Sequence, residues 1–410
     1  MALNYVWVSF FLLAFVAALV RLIGYNDVDI FYNITTAIFD MSKTAVEISL
    51  GLIGIMAFWL GIMKIGERGG MIGIFSRAVR PFFSKIFPDV PKDHPAFGSM
   101  LMNFSANMLG LDNAATPMGL KAMKELQEVN PDKETASNPQ IMFLVLNASS
   151  LTLLPISIMA YRKEAGAADP SDIFIPILLA TFFSTLTGLI VTALYQRINL
   201  LQKTIIMYLG TVGLVIFGLL FYFSQLPPDQ VAVITRIMSN VILFGLVVAF
   251  ITLALIRKIN VFEAFIDGAK EGFEVAVKII PYLVAILVAI AVFRASGLFD
   301  MVLGGVASFF GMLGMNTDFV PALPVALMKP LSGSGARGLL IDIMNTTGAD
   351  SFPSRVASVI QGSTETTFYV LAVYFGSVAI KRTRHALPAA LLAELAGVIA
   401  AIVIAYIFFH

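Results

Sequence analysis

Apolar residues fall in long blocks along this chain, with polar residues gathered in short stretches between them. A helix needs roughly 20 apolar residues to cross a bilayer core. Eight blocks meet that need: 5–24, 44–63, 140–161, 173–195, 204–223, 237–256, 279–292 with an amphipathic extension at its start, and 388–409. A ninth, 366–380, is short alone but follows an apolar run at 356–360. Two further segments, 96–126 and 319–344, each hold an apolar arm, a small polar turn and a second apolar arm. No arm is long enough to cross, so both read as re-entrant hairpins. Such backbone is tolerated at membrane depth only when buried in protein or facing a water-filled cavity.

The order of these features repeats. The span 44–63 precedes Gly70, an amphipathic stretch at 71–87, the first hairpin, and the spans from 140 and 173. The span 279–292 precedes Gly297, an amphipathic stretch at 298–313, the second hairpin, and the spans from 354 and 388. In this comparison Asn147 to Thr152 answers Gly362 to Thr367. Five crossings, at 44, 140, 173, 204 and 237, separate the two starts. Five is odd, so the second half enters from the opposite side. The predicted fold is an all-α polytopic membrane protein of about nine crossings, with two inverted repeats, each holding a re-entrant hairpin and a broken transmembrane helix. Secondary transporters often have this layout, with the ligand near the midplane.

Lys and Arg set the orientation. They crowd 64–133 and return at Arg197 and Lys203, at Arg257 and Lys258, and at Lys381, Arg382 and Arg384. None occurs in 224–235 or 295–323. An inside N-terminus puts these basic loops inside and the C-terminus outside, with Arg162 and Lys163 as exceptions.

Composition narrows the function. The chain is 58% hydrophobic and 13% charged, where a soluble domain carries about 25% charge. A net charge of +1 provides no basic surface for nucleic acid. With no cysteine, disulfides, thiolate metal sites and a cysteine nucleophile are excluded. His94, His385 and His410 are scattered, unlike the clustered ligands of a zinc site. No nucleophile–base pair is visible, so no enzymatic activity is expected. The first block lacks a basic start and a small-residue cleavage site, and reads as a retained helix.

Polar groups at membrane depth are costly and tend to be functional. The first hairpin carries Asn103, Ser105, Asn107, Asn113 and the pair Thr116-Pro117. That pair reads as N-cap and first residue of a helix, whose free N–H groups favour an anionic or carbonyl oxygen. The second hairpin carries Lys329, Ser332, Ser334 and Arg337. Arg337 cannot lose its charge, so it needs a carboxylate, with Asp342 and Glu365 as candidates, or an anionic substrate group. The spans that follow have polar breaks: Asn147, Ser149, Ser150 and Thr152 in one, Gly362, Ser363, Thr364, Glu365, Thr366 and Thr367 in the other. Hydroxyls can bond back to helix carbonyls, which covers Thr152 and Thr367 but not Glu365. Glu47 and Glu394 also lie in spans and read as packing or interface residues.

The run from Asn103 to Met123 resembles the signature of the spore maturation protein A family. Lys329 to Arg337, with Gln361 to Tyr369, resembles the spore maturation protein B family, and Val261 to Gly272 resembles the opening of that second module. The chain thus resembles an A–B fusion over nearly its whole length. Residues 1–200 form an A-like gate module with an extra N-terminal helix, 201–260 connecting helices, and 261–410 a B-like gate module. Both modules belong to the nucleoside recognition group, which is similar to concentrative nucleoside transporters and to the membrane part of ferrous iron transporters.

The resemblance implies two hairpins and two partly unwound helices around a central site. Carried over by position, that site holds Asn103, Ser105, Asn107, Asn113, Asn147, Ser149, Ser332, Ser334, Gly362, Ser363 and Glu365; Arg337 and Thr364 join them as candidates. The glutamine–threonine–glutamate hairpin pattern of the nucleoside transporters is absent here, and an arginine in the second hairpin is foreign to them.

The expected function is secondary transport of a small polar organic solute (nucleoside, amino acid or short peptide class), coupled to Na⁺ or H⁺. Arg337 and the first hairpin would hold a carboxylate or phosphate, and Glu365 an amine or ribose hydroxyls. Asn147 and Ser149 would hold Na⁺, with proton coupling through Glu365 as the alternative. No other cofactor is expected. A lipid or cell-wall precursor translocase and an ion or metal permease are the competing readings. The expected partners are the small-molecule substrate, membrane lipid and further copies of the chain, in a bacterial inner (plasma) membrane.

Overall fold

The computed structural model describes residues 2–91, 93–110, 112–149 and 152–410. Among these residues the secondary structure is helical, with no β-strand beyond an isolated bridge between Thr135 and Arg382. Seven helices are long and apolar enough to cross a membrane. They are α1 (Ala2–Tyr25), α2 (Ile30–Arg68), α8 (Phe174–Gln196), α9 (Lys203–Ser224), α10 (Pro228–Ile256), α11 (Val261–Ala295) and α17 (Ala386–Phe409). The chain is a multi-pass membrane protein.

The other two expected spans are interrupted. One is α6 (Asn138–Ser149) followed by α7 (Ile156–Glu164), and the other is α15 (Phe352–Ser363) followed by α16 (Thr367–Gly376). Pro155 precedes α7; a proline has no N–H to give and pushes the residue before it out of helical geometry. The second break has no proline. There Thr364 is extended, at φ −149° and ψ 168°, in a run of hydroxyl side chains that compete for backbone bonds.

Two shorter helices, α3 (Met71–Ile86) and α12 (Leu298–Met312), each follow a glycine in the left-handed region, Gly70 at φ 81° and Gly297 at φ 84°. Each is followed by a helix pair at an expected hairpin. The first pair is α4 (Pro95–Met108) and α5 (Asp112–Glu128). The second is a 3₁₀ turn (Val320–Ala322) running into α13 (Leu323–Met328), then α14 (Gly333–Thr347). Ser332 caps α14, accepting the Gly335 N–H at 3.0 Å. The first hairpin corrects one expectation: Thr116 is not an N-cap, because α5 is already under way at Asp112 and Pro117 lies inside it. Pro117 is the sixth residue of α5, beyond the free N–H groups of the first turn, so it lies inside the helix and does not open it.

Helix ends define two faces. On one, Gln196 at the end of α8 donates to the Asn138 carbonyl at 2.9 Å and lies 3.3 Å from His385 Nε2, at the start of α17. On the other, Asp172 precedes α8 and accepts from Arg355 Nε at 2.8 Å. Arg355 belongs to the first turn of α15, and its guanidinium lies 5.1 Å from the Phe409 ring at the end of α17. The 23 residues of α8 between them make about 35 Å of helix. So α6 and α15 start at opposite faces. They meet at their breaks, where the Glu365 N–H donates to the Ala148 carbonyl at 2.9 Å.

Arg162 and Lys163 end α7 at the Asp172 face. Lys163 is exposed, but Arg162 is wholly buried. Its guanidinium donates to the Ala349 carbonyl at 2.7 Å and pairs with Asp172 at 2.9 Å and Asp350 at 3.0 Å. This arginine is a structural ion pair, which explains its departure from the loop-charge pattern.

Candidate functional site

A cavity of about 700 Å³ opens where the two breaks, the turn of the second hairpin, α7 and the middle of α11 come together. Backbone bonds fix this meeting point. The Leu153 N–H donates to the Met108 carbonyl at 2.8 Å, tying the first break to the first hairpin. The Phe368 N–H donates to the Pro330 carbonyl at 3.1 Å, tying the second break to the second hairpin. Gly333 lies so near the second break that a Cβ there would sit 2.7 Å from Thr366 Oγ1, which only glycine avoids.

Of the expected site residues, Asn107, Asn147, Ser332, Ser334, Arg337, Gly362, Thr364 and Glu365 line the cavity. Four others do not line it. Asn103 is buried, donating to the Ala115 carbonyl at 2.8 Å and the Tyr374 hydroxyl at 3.2 Å. Ser105 lies 3.1 Å from the Ser76 hydroxyl. Ser149 and Ser363 are buried and bond back to the Leu146 and Ile360 carbonyls, as hydroxyls in helices commonly do. Asn113 and Ser150 have side chains outside the described residues.

A polar network holds the first hairpin against both broken helices. Asn107 Nδ2 donates to Asn147 Oδ1 at 2.6 Å, and the Tyr374 hydroxyl donates to the same oxygen at 3.3 Å. Asn147 in turn donates to the Phe143 carbonyl at 2.8 Å. The oxygen expected to face Na⁺ thus already accepts two hydrogen bonds. Asp342, a candidate partner for Arg337, is instead engaged by Arg294. Arg337 Nε donates to the Gly333 carbonyl at 3.1 Å, bracing the guanidinium on the cavity wall.

Two cations and an aromatic lining join the expected residues. Lys329 is buried, donates to the Gln361 carbonyl at 2.9 Å and lines the cavity; Lys278 of α11 also lines it. Tyr161, Tyr282, Tyr369 and Tyr374 face the same space. Three cationic side chains thus surround it, with Glu365 as the carboxylate among its lining residues. The sequence signal for Lys329 was its place beside Ser332 in the hairpin turn. Tyrosines within apolar helices carry no such signal, because they pack in cores as often.

The chain matches the family described as "Gate: Nucleoside recognition" over residues 49–168 and 276–381, more than half its length. It belongs to the nucleoside recognition gate family. Both matched segments contain a hairpin and a break from the cavity wall. The gate protein is also similar to two proteins of Bacillus subtilis (strain 168). It is 42% identical to spore maturation protein A over 188 residues, 46% of this chain and 92% of that protein. It is 44% identical to spore maturation protein B over 180 residues, 44% of this chain and 94% of that protein. No solved structure matches.

Proposed function

We propose that this gate-family protein is a secondary transporter of a small organic solute bearing an acidic group, held in the cavity between the two breaks. The observation that carries this function is the cavity lining, with Lys278, Lys329 and Arg337 against Glu365. Three cationic side chains around one cavity at membrane depth favour a ligand that carries negative charge. Arg337 suits a carboxylate or phosphate, Glu365 an amine or hydroxyl, and the tyrosine faces a flat ring. A nucleoside carrying a phosphate, an amino acid and an acidic short peptide all fit this chemistry, and the family description favours the first.

The transport mechanism rests on an inverted repeat with about nine crossings, an inside N-terminus and a bacterial inner membrane. Its support is a pair of backbone bonds. Leu153 and Phe368 occupy equivalent places after Asn147 and Gly362, and each ties its own break to its own hairpin. Helices α6 and α15 entering from opposite faces support it as well.

Purified protein in proteoliposomes, offered nucleosides, nucleoside monophosphates, amino acids and acidic dipeptides, tests this function. Saturable uptake of an acidic solute is expected, falling at least about tenfold in Arg337→Ala, the loss of one charge-assisted contact. Wild-type uptake by both Arg337→Ala and Glu365→Gln would remove these residues from the site.

A further inference from the structure

Behind the cavity wall lies a second carboxyl group. Glu394, in α17, is 4% exposed and is not among the residues lining the cavity. Its Oε2 accepts the Thr367 hydroxyl at 2.7 Å, and its Oε1 has no hydrogen-bond partner. Two buried oxygens at the end of α15 are also bare, Thr364 Oγ1 and Gln361 Oε1, in residues 2% and 6% exposed. The placement of Thr364 follows from two contacts. Thr367, three residues along the same break, bonds Glu394, and a Cβ on Gly397, one turn along α17, would come 2.8 Å from the Thr364 methyl. Thr364 also lines the cavity, and Lys329, another lining residue, bonds the Gln361 carbonyl one helical turn before it.

Buried oxygens without a donor are unfavourable. One proton on Glu394 changes that, because a neutral carboxylic acid has an O–H to give. A metal ion would also satisfy bare oxygens. The charge of Lys329 already acts on Glu394, however, and a second cation beside it is disfavoured by like-charge repulsion.

We propose that Glu394 is a proton-binding site that communicates with the cavity through Lys329. A hydronium ion gives its proton to Oε1 and leaves as water, forming one O–H bond and cancelling one negative charge. While ionised, Glu394 offsets the Lys329 charge. Once protonated, it offsets that charge no longer, and the cavity becomes more favourable to an anion. Proton and anion therefore strengthen each other's binding, reciprocally. This coupling role rests on the transport function proposed above, whereas the proton site does not.

The charged groups acting on Glu394 are Lys329 and Glu365. On the helices packed against α17, α6 has no titratable residue, and α8 has Tyr195, stacked on His385. Helix α15 has Arg355, held by Asp172, and α16 has Tyr369 and Tyr374. Helix α9 has Lys203, Tyr208 and Tyr222, and α10 has Asp229 and Arg236.

Infrared difference spectroscopy of the full chain in nanodiscs, titrated with pH, tests the site without any substrate. A carbonyl band of a buried protonated carboxyl is expected in wild type. It is lost in Glu394→Gln, kept in Glu365→Gln, and kept to higher pH in Lys329→Met. A band that survives Glu394→Gln, or that exchanging choline for Na⁺ abolishes at fixed pH, overturns the assignment. Glu394→Asp, which keeps the carboxyl, guards against a folding artefact and must retain a titrating band. A failed uptake screen with the band intact would remove the transport function and leave the proton site standing. Uptake without the band would do the reverse.

Discussion

The hydroxyl of Tyr374 accepts from Asn103 of α4 and donates to Asn147 of α6, so one phenol joins three helices. Replacing it with phenylalanine keeps the ring but strips both partners of a bond. Tyr374→Phe is expected to cost about 1–3 kcal/mol, read as a lower melting temperature in detergent. Ser105→Ala, which removes a hydroxyl outside the cavity, should leave uptake unchanged in the proteoliposome assay. At this scale charge was a partial guide, since Lys278 and Lys329 line the cavity without having been expected there. Arg337 and Glu365 stood out as ions among apolar residues, and both line the cavity. Asn103 and Asn107 look alike in sequence, yet one is buried beside Tyr374 and the other faces the cavity. Which way a helical side chain turns depends on its neighbours, and those come from distant parts of the chain.

Helices α2 and α11 pack closely because α11 presents two glycines to α2. A Cβ at Gly268 would come 2.3 Å from the Leu60 carbonyl oxygen, and one at Gly272 would come 2.6 Å from that of Met56. Small residues let membrane helices approach this way. Alanine gains about 1 kcal/mol of helix propensity over glycine, but backbone in the path cannot move aside as a side chain can. Gly268→Ala and Gly272→Ala are therefore expected to lower the melting temperature. Gly218→Ala on α9, where nothing lies within 4 Å, should leave it level or raise it. The hairpin arms were legible because each is too short to cross. The start of α5 was not, because a Thr-Pro pair inside a helix reads in sequence like one at its start.

At the scale of the molecule, each face carries an ion-pair cluster. Arg162 and Arg355 with Asp172 and Asp350 join the loop before α8 to the loop before α15. At the opposite face Lys381 pairs with Glu134 at 2.6 Å and Arg382 with Asp132 at 2.9 Å, joining the loop before α17 to the loop before α6. The first cluster is largely buried and the second lies in solvent. Removing one partner of a buried pair strands the others, so Arg162→Met is expected to cost about 3–5 kcal/mol. Lys381→Met should change the melting temperature little, and by less in high salt. Hydropathy located the seven helices long enough to cross and their order. It could not separate Arg162 from a loop cation, because a buried arginine and an exposed one read alike until the carboxylates opposite are in place.

The bond between Glu365 and Ala148 has a mechanical consequence. It sits at the meeting of two helices that come from opposite faces, with an ion-pair cluster at either end, each about 17 Å away. A tilt of about 10° about that point moves each end by about 3 Å, enough to part a 2.9 Å ion pair. Under such a tilt the exposed pairs of Lys381 and Arg382 would part at less cost than the buried cluster of Arg162.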